Sequence, residues 1–149
     1  NRWAKHSLFE IELQVPLLIN IPQISEGKIT DSFAELVDIF PTLCDVLQIP
    51  KPSHLQGNSL INAMNNPHEM HKNYAVARWK SGETLITEQY SYSEWQNKNG
   101  KITGRMLYDL QNDPGETINV SQNVEYSKLV DSLSNRISAM SSQYKTIQQ

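Results

Sequence analysis

The sequence has few of the residues that make a disulfide framework, a membrane anchor or a nucleic-acid grip. It holds a single cysteine, Cys44. A lone thiol closes no internal disulfide, and beside Leu43, Val46 and Leu47 it reads as a small buried side chain, not a nucleophile. The longest apolar run, residues 15–21, is interrupted by Pro16 and Asn20. That is far short of the roughly 20 residues a bilayer requires. Lysine and arginine number 13 against 16 acidic residues, for a net charge of −3, and no basic block occurs. Nucleic acid and membrane are therefore not expected partners. With 38 % hydrophobic and 19 % charged residues, the 149-residue chain can bury one domain-sized core and is not a disordered tract. It shows no signal peptide. Asn1-Arg2-Trp3-Ala4-Lys5-His6 leads at once into core-like sequence, which reads as a start in mid-domain.

What is present changes character part-way along. Residues 15–22 (Val-Pro-Leu-Leu-Ile-Asn-Ile-Pro) are apolar at nearly every position, so they predict a strand covered on both faces, as in a parallel α/β sheet. Phe33, Leu36, Val37, Phe40, Leu43, Cys44 and Leu47 follow at helical spacing. Pro41 falls inside that pattern. Either Asp38 is the N-cap and Pro41 lies in the first turn, or a longer helix is kinked; the first loses no hydrogen bond and is preferred. Pro50 and Pro52 close the helix, and a short second one is expected over 60–64. Asn65-Asn66-Pro67-His68 marks the candidate boundary, placing 1–72 in one subdomain and 73–149 in another. Beyond it, 74–79, 83–87, 89–95 and 105–110 read as strands, with turn residues at Ser81-Gly82 and Asn97-Lys98-Asn99-Gly100. Joined this tightly they should be antiparallel. Tyr126, Leu129, Val130, Leu133, Ile137, Met140 and Tyr144 then form the stripe of an amphipathic helix packed on that sheet.

Composition and periodicity stop at this α/β outline; five segments in order go further. Lys5 to Glu10 followed by Val15-Pro16-Leu17-Leu18 resembles the sulfatase pattern K-x-x-x-[FY]-E-x-x-x-[R/H]-V-P-L. Residues 36–43 (Leu-Val-Asp-Ile-Phe-Pro-Thr-Leu) resemble the family's downstream helix, and 55–60 (Leu-Gln-Gly-Asn-Ser-Leu) its L-x-G-x-S-L segment. Residues 90–95 resemble the R-Y-T-E-W strand, and 107–119 the segment ending in DPxExxN. Together they resemble the C-terminal portion of a sulfatase of the alkaline-phosphatase-like superfamily. Trp3, two residues before Lys5, is similar to the iduronate-2-sulfatase-like branch.

The resemblance implies a parent enzyme that hydrolyses sulfate esters, those of sugars among them, with a formylglycine nucleophile and a calcium ion. It implies that the missing N-terminal catalytic portion is a partner, and a secreted, periplasmic or lysosomal location. Cys44 is followed by Asp-Val-Leu, not by x-Pro-x-Arg, so it is no formylglycine precursor. The implied metal ligands lie upstream, none falls in this chain, and the chain alone is expected to be inactive. Exposed core surface is expected to drive self-association.

By the same resemblance Lys5 is the one catalytic residue, contacting a sulfate oxygen, where a fixed ammonium stabilises developing negative charge. His6 beside it is a substrate-binding candidate, and so is Arg78: Arg78-Trp79-Lys80, at a strand end before Ser81-Gly82, reads either as a trio reaching over the active site to an anionic sugar or as an exposed hairpin end. Glu10 reads as a supporting carboxylate that needs partners, and Gln14 departs from the family's Arg or His. His68-Glu69-Met70-His71 is H-x-x-H in a polar loop and reads as solvated histidines, not a metal site. Asn119-Val120-Ser121 fits a glycosylation sequon. The rivals are a phosphate or phosphonate ester hydrolase of the same superfamily and a non-catalytic binding module.

Overall fold

The computed structural model describes residues 6–22, 24 and 27–146, with side chains as far as residue 142. Two compact units are formed: one by Pro16–Ala75, the other by the described residues up to Val15 and from Val76 onward.

The second unit is a four-stranded meander in the order β1 (Tyr74–Trp79), β2 (Gly82–Thr87), β3 (Tyr90–Gln96), β4 (Ile102–Asp109). β2–β3 and β3–β4 are antiparallel, as the short turns require. The register aligns Leu85 with Tyr92 and Tyr92 with Leu107, and all three are fully buried. This row is the centre of the core. The pleat puts Glu83, Leu85, Tyr92, Glu94 and Leu107 on one face. That face receives the C-terminal helix, Ser127–Thr146, whose Val130, Leu133 and Ile137 are buried. The expected amphipathic stripe does turn toward the sheet. The opposite face carries Gly82, Trp95 and Tyr108 and is covered by the chain's beginning: Phe9 lies 5.8 Å from the Tyr108 ring, next to the short helix α1 (Glu10–Leu13).

Glu94 is buried in the helix-facing layer. Its carboxylate accepts hydrogen bonds from the Tyr92 hydroxyl at 2.9 Å, the Ser134 hydroxyl at 2.7 Å and Gln96 Nε2 at 3.0 Å. Burial and the adjoining carboxylate push the Tyr92 phenol up to about 12. Ser134 accounts for a polar residue inside an apolar helix stripe: it satisfies a buried acceptor.

The outer edge of β4 is closed by the segment after the last turn. Asn119 Oδ1 accepts the Leu107 N–H at 3.0 Å, and Leu107 in turn accepts the Val120 N–H at 2.9 Å. Asn119 Nδ2 and the Ser121 hydroxyl both donate to the Arg105 carbonyl, at 3.2 and 3.1 Å. The sequon side chains thus act as a substitute strand on an open edge. Asn119→Ala should lower stability by about 1–2 kcal/mol, the scale of an orphaned ladder donor, measured by urea unfolding. An unchanged midpoint would reject this role.

The first unit is helical and irregular. A 3₁₀ turn, Leu36–Asp38, leads into α2 (Ile39–Val46), followed by α3 (Ile61–Asn65). Asp38 holds the N-cap position, though its side chain makes no capping bond to α2, and Pro41 sits in the first turn, so the proline deletes no helical hydrogen bond. Two expectations need correction. Residues 14–20 have no regular secondary structure, and only an isolated bridge joins Ile21 to Ile24. A buried parallel strand needs hydrogen-bonded neighbours, and among the described residues no extended segment lies alongside; Leu18 stays 90 % exposed. The helical stripe is also turned outward: Leu36, Val37, Phe40, Leu43 and Leu47 are exposed, while Pro41, Thr42 and Cys44 are buried.

Two of the matched segments interlock here. The buried Asp38 carboxylate accepts the Glu35 N–H at 2.9 Å and the Asn58 N–H at 2.7 Å. Thr42 Oγ1 accepts the Leu60 N–H at 2.9 Å and donates to the Asp38 carbonyl at 2.5 Å. Between these clamps Gly57 lies so close that a Cβ would stand 2.0 Å from the Val37 carbonyl oxygen. Lys72 then closes the cluster, its ammonium 2.6 Å from Glu35 and 2.7 Å from Asp38. His71 is packed against the same carboxylate, Nε2 3.7 Å from Asp38 with only 7 % of the side chain exposed. It is not the solvated loop histidine the sequence suggests, because Lys72 draws the 68–72 loop onto the start of α2. His68 does remain exposed.

Candidate functional site

Lys5 and Trp3 lie outside the described residues. His6, next along the chain, is exposed and stacks on Trp79: the ring centroids are 5.1 Å apart and the planes differ by 17°. Trp79 ends β1, at the tight turn Trp79-Lys80-Ser81-Gly82. Lys80 takes a left-handed backbone conformation, φ 54°, uncommon for a residue with a side chain. Its ammonium stands 5.8 Å from the Trp79 ring centroid.

The turn is held from below. Gln96 N–H donates to the Ser81 carbonyl at 3.0 Å. At Gly82 a Cβ would stand 2.5 Å from Trp95 Nε1 and 2.9 Å from Leu8 Cδ1. A side chain at this position would press first on the Trp95 indole and then on the end of Leu8, two residues beyond His6. The hairpin tip and the segment after Lys5 are therefore parts of one packed structure.

Arg78 faces elsewhere. Its guanidinium pairs with Glu83 and donates to the Ser141 hydroxyl at 3.2 Å, with half of the side chain exposed. The structure brings His6 together with Trp79 and Lys80, and ties Arg78 to β2 and the C-terminal helix. The His6–Trp79 contact escaped sequence reasoning, because 73 residues separate partners that only the sheet unites. An exposed tryptophan at a hairpin end was the available signal.

The Glu10 N–H donates to Glu116 Oε2 at 2.7 Å, which gives a partner to the Glu116 carboxylate and not to that of Glu10. Burial, and then the charge of Glu116, push the Glu10 carboxyl above its usual range. Glu116 itself is buried at φ 51°. Asp113 accepts the Thr117 and Ile118 N–H groups, each at 2.7 Å. The acidic and amide residues of 113–119 are thus occupied in building a turn that seats α1. Among the described residues, no three histidine, cysteine or acidic side chains converge as a metal site would require.

A family model described as N-sulphoglucosamine sulphohydrolase, C-terminal, matches residues 1–143. The chain belongs to that family. Its fold is the C-terminal part of an alkaline-phosphatase-like sulfatase, with the small antiparallel sheet and final helix expected for it. It is 30 % identical over 152 residues to arylsulfatase K of Bos taurus, covering 91 % of this chain and 27 % of that protein. A solved 2-O GAG sulfatase superposes with a TM-score of 0.60 at 28 % identity, covering 72 % of this chain and 24 % of the other. The phosphonate monoester hydrolase of Agrobacterium radiobacter superposes with a TM-score of 0.58 at 25 % identity, again over 72 % and 24 %. The chain spans about a quarter of the length of the curated relatives it matches. No helix among the described residues is long and apolar enough to cross a membrane.

Proposed function

We propose that this chain is the C-terminal portion of an enzyme that hydrolyses sulfate esters of a saccharide. The observation that carries this reading is the family match across residues 1–143, supported by the likeness to a 2-O GAG sulfatase. Residues 1–72 would complete the large catalytic domain and 73–149 form the smaller subdomain beside it. Lys5 would contact a sulfate oxygen and stabilise the charge that develops as the ester bond breaks. His6 and Arg78 would face the remainder of the substrate. Arg78 already has Glu83 as a counter-charge, so its pull on an anion would be weaker than that of an unpaired guanidinium.

The nucleophile (formylglycine) and the calcium ion would belong to the rest of the enzyme, since Cys44 is followed by Asp-Val-Leu and not by x-Pro-x-Arg. By itself the chain should be inactive: a lysine without a nucleophile stabilises a charge that never forms. The outward apolar face of α2, with Leu36, Phe40, Leu43 and Leu47, would meet that missing portion or, in its absence, another copy of the chain. A secreted, periplasmic or lysosomal location goes with this family reading.

The test is the intact protein assayed on 4-nitrophenyl sulfate and the matching phosphate, with and without Lys5→Ala. Sulfate turnover that drops by at least about tenfold in the variant, the loss expected for one charge-stabilising group, is the expected result. Preference for the phosphate or a phosphonate would favour the second reading, which the likeness to a phosphonate monoester hydrolase keeps open. No turnover of either would favour a non-catalytic binding module.

A further inference from the structure

Among the described residues Trp79 stacks on His6 and carries Lys80 over its ring, a pairing that leaves much of the indole at the surface. Trp79 keeps 40 % of its surface exposed at a corner where a small polar residue would serve the turn equally well. Lys80 adopts a conformation that favours glycine or asparagine, yet it carries a long cationic side chain whose ammonium stands over the indole. Gly82 brings the hairpin close against the Trp95 and Leu8 side chains, so the tip packs beside residues 6–8. His6 then lies against the indole at 5.1 Å. His6 directly follows, in the sequence, the lysine proposed to hold the sulfate.

We propose that the Trp79 indole, braced by His6 and flanked by Lys80, is the surface that takes the pyranose ring of an anionic saccharide and so selects sugar sulfates over other sulfate esters. An indole offers a flat apolar face to the C–H side of a sugar ring, and the Lys80 ammonium, which stands over that indole, would turn to a carboxylate or second sulfate on the bound ring. The inference rests on the sulfatase reading and adds the residues that would set its substrate preference.

The experiment uses the intact enzyme with Trp79→Ala, Trp79→Phe and Lys80→Met. The probes are a set of sulfated disaccharides from lyase-digested heparin and chondroitin sulfate, and 4-nitrophenyl sulfate. For the disaccharide the unaltered enzyme turns over best, Trp79→Ala should raise KM by about tenfold, the scale of one aromatic contact. Its kcat and its turnover of 4-nitrophenyl sulfate should stay within about threefold, and Trp79→Phe should recover most of the loss. Lys80→Met should raise KM for disaccharides with a uronate or second sulfate, not for singly charged ones. Equal losses on both substrate types, or a fall confined to kcat, would mean that Trp79 only shapes the hairpin and would overturn the inference. Unchanged kinetics in Trp79→Ala would overturn it too. If the unaltered enzyme turns over no sulfate ester at all, the sulfatase reading itself fails and this inference falls with it.

Discussion

Gly57→Ala should destabilise the Pro16–Ala75 unit by about 3 kcal/mol or more, because the added methyl would meet main chain and not a side chain that can rotate away. The Cβ would stand 2.0 Å from the Val37 carbonyl oxygen, 2.3 Å from its carbon and 2.8 Å from Asp38 N. Relief requires the 55–60 segment to move off α2. That movement would break the bonds from Asn58 N–H to Asp38 and from Leu60 N–H to Thr42, which are 2.7 and 2.9 Å long. Urea unfolding should show the drop, and amide exchange at residues 58 and 60 should accelerate. A variant with the original midpoint and intact protection at those two amides would refute the packing argument.

Asp38→Ala should have an effect of comparable size, about 3–5 kcal/mol, the penalty for stripping the partner from a buried ion. Lys72 has 8 % of its side chain exposed and would retain only Glu35. The Glu35 and Asn58 N–H groups would lose their acceptor. Adding Lys72→Met to Asp38→Ala should cost less than the sum of the two single changes, since the pair acts together. Strict additivity would count against the lock. The same cluster sets a pH window. Burial pushes the Asp38 carboxyl up, but the Lys72 ammonium and the two N–H bonds outweigh it and hold the group below the usual carboxylate range. A lowered value means stability that is present above about pH 4, the ordinary carboxylate value, and that is lost as the pH falls through the folded value. Lys72 is shifted the other way: burial alone would lower it, yet the two carboxylates hold it above its usual range. Its contribution is present at neutral pH and is lost only in strong alkali. Asp38→Ala should flatten the acid limb of the stability profile.

How much was legible in advance differs between the two units. The strands at 74–79, 83–87, 89–95 and 105–110 were readable because alternation and turn residues act over a few positions, and the observed strands differ by three residues or fewer at any end. The cap of α2 was readable because Asp38 and Pro41 state where a helix can begin. The segment at 15–22 was misread, since an apolar run gives the composition of a buried strand but not its neighbours. The outward stripe of α2 fails for the same reason: helical spacing tells which residues share a face, not what covers it.

The sequence alone determined the family, the order of the four strands and the final helix, and the segments that carry the resemblance, because those are properties of local residue order. Only the tertiary structure decided what those segments do. It locked Gly57 and Asn58 onto Val37 and Asp38, recruited Lys72 and His71 to a buried carboxylate, turned Asn119 into an edge cap, and set His6 against Trp79. These pairings join residues between 12 and 73 positions apart. Local pattern carries no signal of them, because they arise from burial and backbone hydrogen bonding once the chain has closed on itself.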